Sequence, residues 1–177
     1  MNTVVWVYGG SAAGKKTFIE TISLHENLEL INRLGWEGKQ VAVCQESLDL
    51  IAQFEGDPII EKRQSIPEIV SKLNQKYTNA IILIKGQDVD LKAKRLIKTR
   101  ELIPDAGHKI VFMSVPFEEL YERTTRQSWW EDSDTQEVVK GWLDYQITEL
   151  KKLKDDFEIQ IIDGSAGGGY KFLSDFE

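Results

Sequence analysis

Near the N-terminus run Gly9, Gly10, Ser11, Ala12, Ala13, Gly14, Lys15, Lys16 and Thr17. A row of small residues ahead of a lysine suits one task above others, the holding of phosphate. Gly9 and Gly10 accept backbone angles that a Cβ disfavours, so the chain can turn sharply there. Ser11, Ala12, Ala13 and Gly14 are small enough for successive amide N–H groups to converge on an anion. A helix starting near Gly14 would aim its positive dipole end and unpaired N–H groups at the same point. Lys15 adds a mobile cation for the outer phosphates. The spacing of Gly9, Gly14 and Lys15 is G-x-x-x-x-G-K, the pattern of a nucleotide-phosphate loop. An ordinary Gly-rich turn with an exposed lysine pair is the alternative. The succession of apolar run, loop, Gly-Lys and helix argues against it.

Lys16 departs from that pattern. The residue after the lysine is usually Ser or Thr, whose hydroxyl ligates the nucleotide's magnesium. An ammonium has donors and no lone pair to offer a metal. Thr17 could still hydrogen-bond a phosphate from the first helical turn. Lys16 reads as a second phosphate contact or as a solvated helix residue, with the solvated reading preferred.

The elements that must position these groups follow from hydrophobic pattern. Five short, apolar, mostly β-branched runs are expected as strands at 4–8, 41–44, 80–84, 109–114 and 158–162. Their composition suits a parallel sheet buried on both faces. Helical patterns fill the intervals at about 15–25, 48–54, 66–77, 91–102, 117–126 and 135–154. Ser65 and Glu68 predict a capping box for the third of these, and Thr135 or Asp134 a cap for the last. Alternation of strand and helix indicates a doubly wound α/β domain, with ligands at the carboxyl ends of the strands. At 177 residues the chain is read as one domain, 1–177.

Composition narrows the function. A net charge of −7 disfavours a general nucleic-acid surface. Lys92, Lys94, Arg95, Lys98 and Arg100 are the densest basic cluster, read first as a solvated helix face. No apolar run reaches the ~20 residues needed to cross a bilayer, and no secretory signal precedes the first strand. The single Cys44 fits a reducing cytoplasm and a buried thiol. His25 and His108 lack partners at zinc-ligand spacing.

The Gly14-Lys15-x-Thr17 pattern resembles adenylate kinase and related nucleoside monophosphate kinases, where Gly usually stands at the x position. The order of motifs over most of the chain is similar to the small P-loop kinases, the adenylate, thymidylate and shikimate kinase group. The resemblance implies a three-layer, doubly wound, five-stranded parallel sheet in the order 2-3-1-4-5. It also implies ATP as the phosphate donor, with Mg2+ held largely through water and phosphate. After the fourth strand, the segment from Val115 to Arg126 is similar to the kinase helix that carries arginines into the lid. Arg123 and Arg126, one helical turn apart, become candidates to hold phosphoryl charge. Ion pairs with Glu119 or Glu122 are their alternative. A short lid is expected at about 126–134, with Trp129 and Trp130 packing it onto the body or stacking on a substrate. Asp163, Gly164 and Ser165 look like the turn against which such kinases lay adenine, a plain Gly-rich turn being the alternative.

The resemblance fails in one respect. At the end of strand three the family often has Asp, and here Lys85 stands there with Asp88 three residues on. Glu46, after strand two, resembles the acidic turn by which thymidylate and deoxynucleoside kinases approach their acceptor. Glu46 is thus the first choice for base or acceptor contact. Asp88 is the second choice, and the candidate metal contact through water. Either could equally be a helix cap or a solvated turn residue. The segment at about 46–66 is expected to cover the acceptor, with Arg63 holding an acidic group or joining a surface ion pair.

These residues point to an ATP-dependent phosphotransferase acting on a small acceptor, a nucleotide or nucleoside. A nucleotide-binding module with little or no catalysis, acting through a partner, is the second reading. An NTPase or a kinase of nucleic-acid ends, using the basic cluster, is the third.

Overall fold

The computed structural model describes residues 1–49 and 57–176. Within these, the elements run β1 (Thr3–Gly9), α1 (Lys15–Ser23), α2 (Leu28–Arg33), β2 (Gln40–Val43), α3 (Gln45–Asp49) and α4 (Asp57–Lys76). The chain continues through β3 (Ala80–Lys85), α5 (Asp88–Ala93), α6 (Arg95–Leu102) and β4 (Gly107–Ser114). It ends with α7 (Phe117–Thr125), α8 (Gln136–Leu153), β5 (Glu158–Asp163) and β6 (Phe172–Leu173). Residues 50–56 of the expected acceptor cover, and the Arg63 side chain, lie outside the described residues.

The sheet order is β2-β3-β1-β4-β5-β6. The first five strands are parallel and stand in the expected order. β1 is central, buried along its whole length, and β3 beside it is nearly so. That is why both read as unbroken apolar runs without alternation. The central place of β1 puts the glycine-rich loop that follows it between the ends of β3 and β4.

Four features differ from expectation. β6 adds a sixth, antiparallel strand against β5. It forms because Gly167 and Gly169, both with left-handed backbone, reverse the chain. α2 is too short to show a periodic pattern, yet Asn27 caps it by accepting from the Leu30 amide at 3.0 Å. α4 starts well before Ser65 and runs through Pro67, so the expected capping box is not one. Ile66 and Val70 are buried along this helix, while the Glu68 carboxylate pairs with Lys98 at 3.1 Å. The helix expected at 91–102 is two, broken at Lys94, whose φ is 54°. The buried pair of Asp90 and Arg95, 2.7 Å apart, bridges the break.

Candidate functional site

The loop after β1 is built by its carbonyls. Lys15 Nζ donates to the Gly9 and Gly10 oxygens, both at 2.9 Å. The Ala13 amide also donates to the Gly10 oxygen, at 3.1 Å. From α7, the Thr124 hydroxyl, which donates to the Leu120 oxygen at 2.7 Å, lies 3.2 Å from the Ser11 oxygen, and Arg123 reaches the Ala12 oxygen at 3.5 Å. The oxygens of Gly9, Gly10, Ser11 and Ala12 thus all have a donor within 3.5 Å. Ala12 and Gly14 have left-handed backbone, with φ of 62° and 91°. Gly14 is the N-cap of α1 and no side chain caps that helix end. A helix end with unpaired amides, a left-handed turn and a lysine are together chemically suited to phosphate. A Cβ on Gly9 would come within 2.9 Å of the Met113 oxygen, so β4 closes the loop from behind.

Lys15 is 8% exposed. Burial lowers its pKa to about 8, the Lys85 charge lowers it further within that value, and Asp88 opposes both. Lys85 and Asp88 therefore both lie in the electrostatic neighbourhood of Lys15. Lys85 ends β3 and is in register with Val7 of β1. Its backbone amide donates to the Ser47 hydroxyl at 2.9 Å. Asp88 opens α5 and accepts a hydrogen bond from Gln146 of α8. Burial raises its pKa, against the pull of Gln146 and Lys15.

Glu46 lies in the first turn of α3. Its carboxylate accepts a long contact from the Cys44 thiol at 3.8 Å. Burial pushes that thiol up to about 12, so Cys44 is a packed and unreactive side chain. Lys16 is exposed and pairs with Glu20 at 3.9 Å, the behaviour of a solvated helix residue. Thr17 is exposed on the first turn of α1.

The two arginines have different surroundings. Arg123 pairs with Glu119 and also donates to the Gly164 oxygen at 3.0 Å. It thereby ties α7, the phosphate loop and the turn after β5 together. Arg126 pairs with Glu122 on the surface, its side chain 70% exposed. In the turn, Asp163 accepts from the Ser165 amide at 2.9 Å and from its hydroxyl at 2.5 Å. Glu119 accepts from the Ala166 amide at 2.8 Å. A Cβ on Gly164 would meet the Ala13 oxygen at 2.9 Å, so only glycine lets this turn approach the loop so closely. Trp130 packs edge-on against Tyr121, with ring centroids 5.8 Å apart, while Trp129 is 36% exposed. One of the two tryptophans packs the expected lid onto the body; the other faces outward.

Gln146 and Ser47 enter this site without having been singled out in the sequence, whereas Glu119 was named there as the ion-pair alternative for the arginines and does pair with Arg123. A signal existed for Gln146. It falls on the buried stripe of α8 with Val139, Leu143 and Leu150, where a polar residue needs a partner. Three of the five residues of the basic cluster, by contrast, are engaged locally, while Lys92 and Lys94 are exposed. Arg95 is buried on Asp90, Lys98 meets Glu68, and Arg100 lies 4.6 Å over the Phe157 ring.

Phosphate fits this site; a directly anchored metal does not. Among the described residues no group of three or more His, Cys, Asp and Glu side chains gathers as a metal site. Ammonium groups stand at both positions where a hydroxyl or a carboxylate would serve as anchor, Lys16 and Lys85.

No family model matches the sequence, and no curated protein matches it. The fold does have solved counterparts. Shikimate kinase from Acinetobacter baumannii, in complex with shikimate, aligns with a TM-score of 0.53 at 13% identity, covering 95% of this chain and 86% of that one. The tunicamycin resistance protein of Deinococcus radiodurans aligns at 0.51 and 16% identity, covering 89% and 97%. A chain of the Pnkp1/Rnl/Hen1 RNA repair complex aligns at 0.54 and 16% identity, covering 97% of this chain but 48% of that longer one. The mostly parallel sheet with its loop after β1 is the fold of the P-loop kinases. Among the described residues no helix is long and apolar enough to cross a membrane.

Proposed function

We propose that this protein is an ATP-dependent phosphotransferase acting on a small acceptor, a nucleotide or nucleoside. The observation that carries the reading is the loop itself: Lys15 buried on the Gly9 and Gly10 carbonyls with Asp88 in its field, at a helix end that no side chain caps. The loop's amides and Lys15 bind the donor's phosphates. An acceptor oxygen attacks the γ-phosphorus, the bond to the bridging oxygen breaks, and ADP leaves. The acceptor's proton passes to a carboxylate. Asp88 is favoured for this over Glu46 because it shares its surroundings with Lys15, while Glu46 stands at the head of α3 as an acceptor contact.

In this proposal the turn of Asp163, Gly164 and Ser165 borders the base of the nucleotide, with Arg123 bracing it against the loop. Arg126, exposed at the start of the 126–134 segment, reaches phosphoryl charge only by leaving Glu122. The segment at about 46–66 covers the acceptor, and residues 1–177 act as one unit. Magnesium, when bound with the nucleotide, would supply charge neutralisation, and Asp88 is the residue that would contact it through water. The single free thiol supports a cytoplasmic setting.

The test is phosphoryl transfer from γ-labelled ATP to a panel of nucleosides, nucleotides and other small hydroxyl acceptors. Wild type should label at least one acceptor. Lys15→Ala should lose on the order of a hundredfold or more while keeping its circular dichroism spectrum. Undiminished transfer by that variant would sink the assignment. A second reading, a nucleotide-binding module acting through a partner, is favoured by one observation: both arginines expected to serve phosphoryl transfer are paired with glutamates of their own helix. Tight ATP binding without transfer to any acceptor supports that reading.

A further inference from the structure

The buried stripe of α8 runs through Val139, Leu143, Gln146 and Leu150. Packing alone would ask for an apolar side chain at every one of these positions. Gln146 is an amide instead, and it is 2% exposed. Its Nε2 donates to the Asp88 carboxylate. Its Oε1 is buried as well and has no hydrogen-bond partner among the described residues. A carboxylate only accepts, so Asp88 fixes the amide with its NH2 toward the acid and its oxygen away. Burying an amide with one end unpaired costs stability. Core packing therefore does not account for Gln146.

The Asp88 backbone is placed by other contacts. β3 ends with Lys85 in register with Val7 of β1, and the Gly86 amide donates to the Val7 oxygen at 2.8 Å. A Cβ on Gly86 would lie 2.3 Å from the Tyr8 ring, so the turn out of β3 packs on the residue that precedes the glycine-rich loop. α5 then opens at Asp88, its start closed by the Gln87 amide donating to Asp90 at 2.6 Å. These contacts bring Asp88 to the carboxyl end of β3, beside the end of β1, but they do not turn its carboxylate. The Gln146 amide does, reaching across from α8. Burial raises the Asp88 pKa and the hydrogen bond from Gln146 opposes that rise, favouring the ionised form that can accept a proton.

We propose that Gln146 is a positioning residue for phosphoryl transfer, its amide holding one oxygen of the Asp88 carboxylate so that the other faces the acceptor's hydroxyl. The proposal rests on the phosphotransferase reading above, with Asp88 as the base. Oδ1 stays with the amide. Oδ2 takes the hydroxyl proton as the acceptor oxygen bonds to the γ-phosphorus and ADP leaves. A carboxylate left to rotate would meet the hydroxyl in this geometry only part of the time, and small misplacements of a reacting group are costly in rate.

The test combines steady-state transfer to the acceptor that wild type labels best with calorimetric titration of ATP in magnesium. The proteins are wild type, Gln146→Met, Gln146→Asn, Asp88→Asn and the double variant Gln146→Met with Asp88→Asn. Met keeps the length of the side chain without the donor; Asn keeps the amide one methylene short of Asp88. Each should lower kcat about tenfold or more while ATP affinity and the acceptor KM stay within about threefold of wild type. In the Asp88→Asn background the Met change should cost less than about twofold further, because the amide acts only through that carboxylate. An undiminished kcat in either Gln146 variant overturns the proposal. So does a loss that is additive in the double variant, or one shared equally by ATP affinity, KM and kcat, as a residue of the core alone would give. Full transfer by Asp88→Asn overturns it together with the choice of base. Wild type that binds ATP and labels no acceptor overturns the phosphotransferase reading beneath it.

Discussion

Lys15 keeps a positive charge in a nearly buried place, with its ammonium on the carbonyls of Gly9 and Gly10. Its pKa falls from 10.5 to about 8, mainly through burial. The folded chain thus releases this proton at lower pH than the unfolded chain. Between about 8 and 10.5 the unfolded chain binds more protons, so the Lys15 contribution to stability rises with pH across that window. Below it the full penalty stands, on the order of 3 kcal/mol. Denaturant titrations of Lys15→Met should show a stability difference from wild type that favours the variant most at about neutral pH. The difference should shift toward wild type as pH approaches 10.5. A difference independent of pH would mean that Lys15 is not a buried cation. Anionic phosphate would reverse the penalty, which is the physical sense of a strained lysine at a cradle.

At the scale of elements, the break between α5 and α6 shows how a tertiary contact overrides a helical pattern. Residues 91–102 read as one helix, but Lys94 takes a left-handed conformation so that Arg95 can reach Asp90 beneath it. Asp90 also accepts from the Gln87 amide at 2.6 Å and so closes the start of α5. Asp90→Ala leaves the Arg95 guanidinium buried without this partner and should cost about 3–5 kcal/mol in equilibrium unfolding. Lys94→Gly relieves left-handed strain and should cost nothing or stabilise by up to about 1 kcal/mol. Identity was legible for the five parallel strands, though not for β6, and most clearly for β1 and β3, whose burial on both faces demands apolar residues. Helix limits were less so. The Ser65–Glu68 pattern fits a capping box in sequence but lies inside α4, and α2, with six residues, is too short to repeat a helical period.

Across the whole molecule, the site depends on segments far apart in sequence being pressed together. Gly164 lies against Ala13, Arg123 spans from Ala12 to Gly164, and Gln146 reaches Asp88. Gly164→Val should force the turn after β5 away from the phosphate loop. The expected result is a folded protein whose ATP-induced rise in melting temperature is reduced or lost, since only ligand bound to the folded state raises it. An undiminished shift would place the nucleotide's base elsewhere. β6 belongs to this scale too. Arg33 of α2 donates to the Gly169 and Tyr170 oxygens, both at 3.2 Å, and so holds the turn that brings β6 back to β5.

The sequence by itself determined the place of the glycine-rich loop between β1 and α1 and the α/β alternation, and its resemblance implied the order of the five parallel strands. These are written in local pattern: spacing of small residues, β-branched runs and helical periods. Tertiary structure alone decided the rest. It gave Arg123 to the loop and the Gly164 turn, and left Arg126 with Glu122 on the surface. It brought Lys85 and Asp88 into the field of Lys15, and buried Gln146 where it could meet Asp88. A charged side chain's partner is chosen by which elements pack together, and local pattern carries no information about contacts that close over dozens of residues.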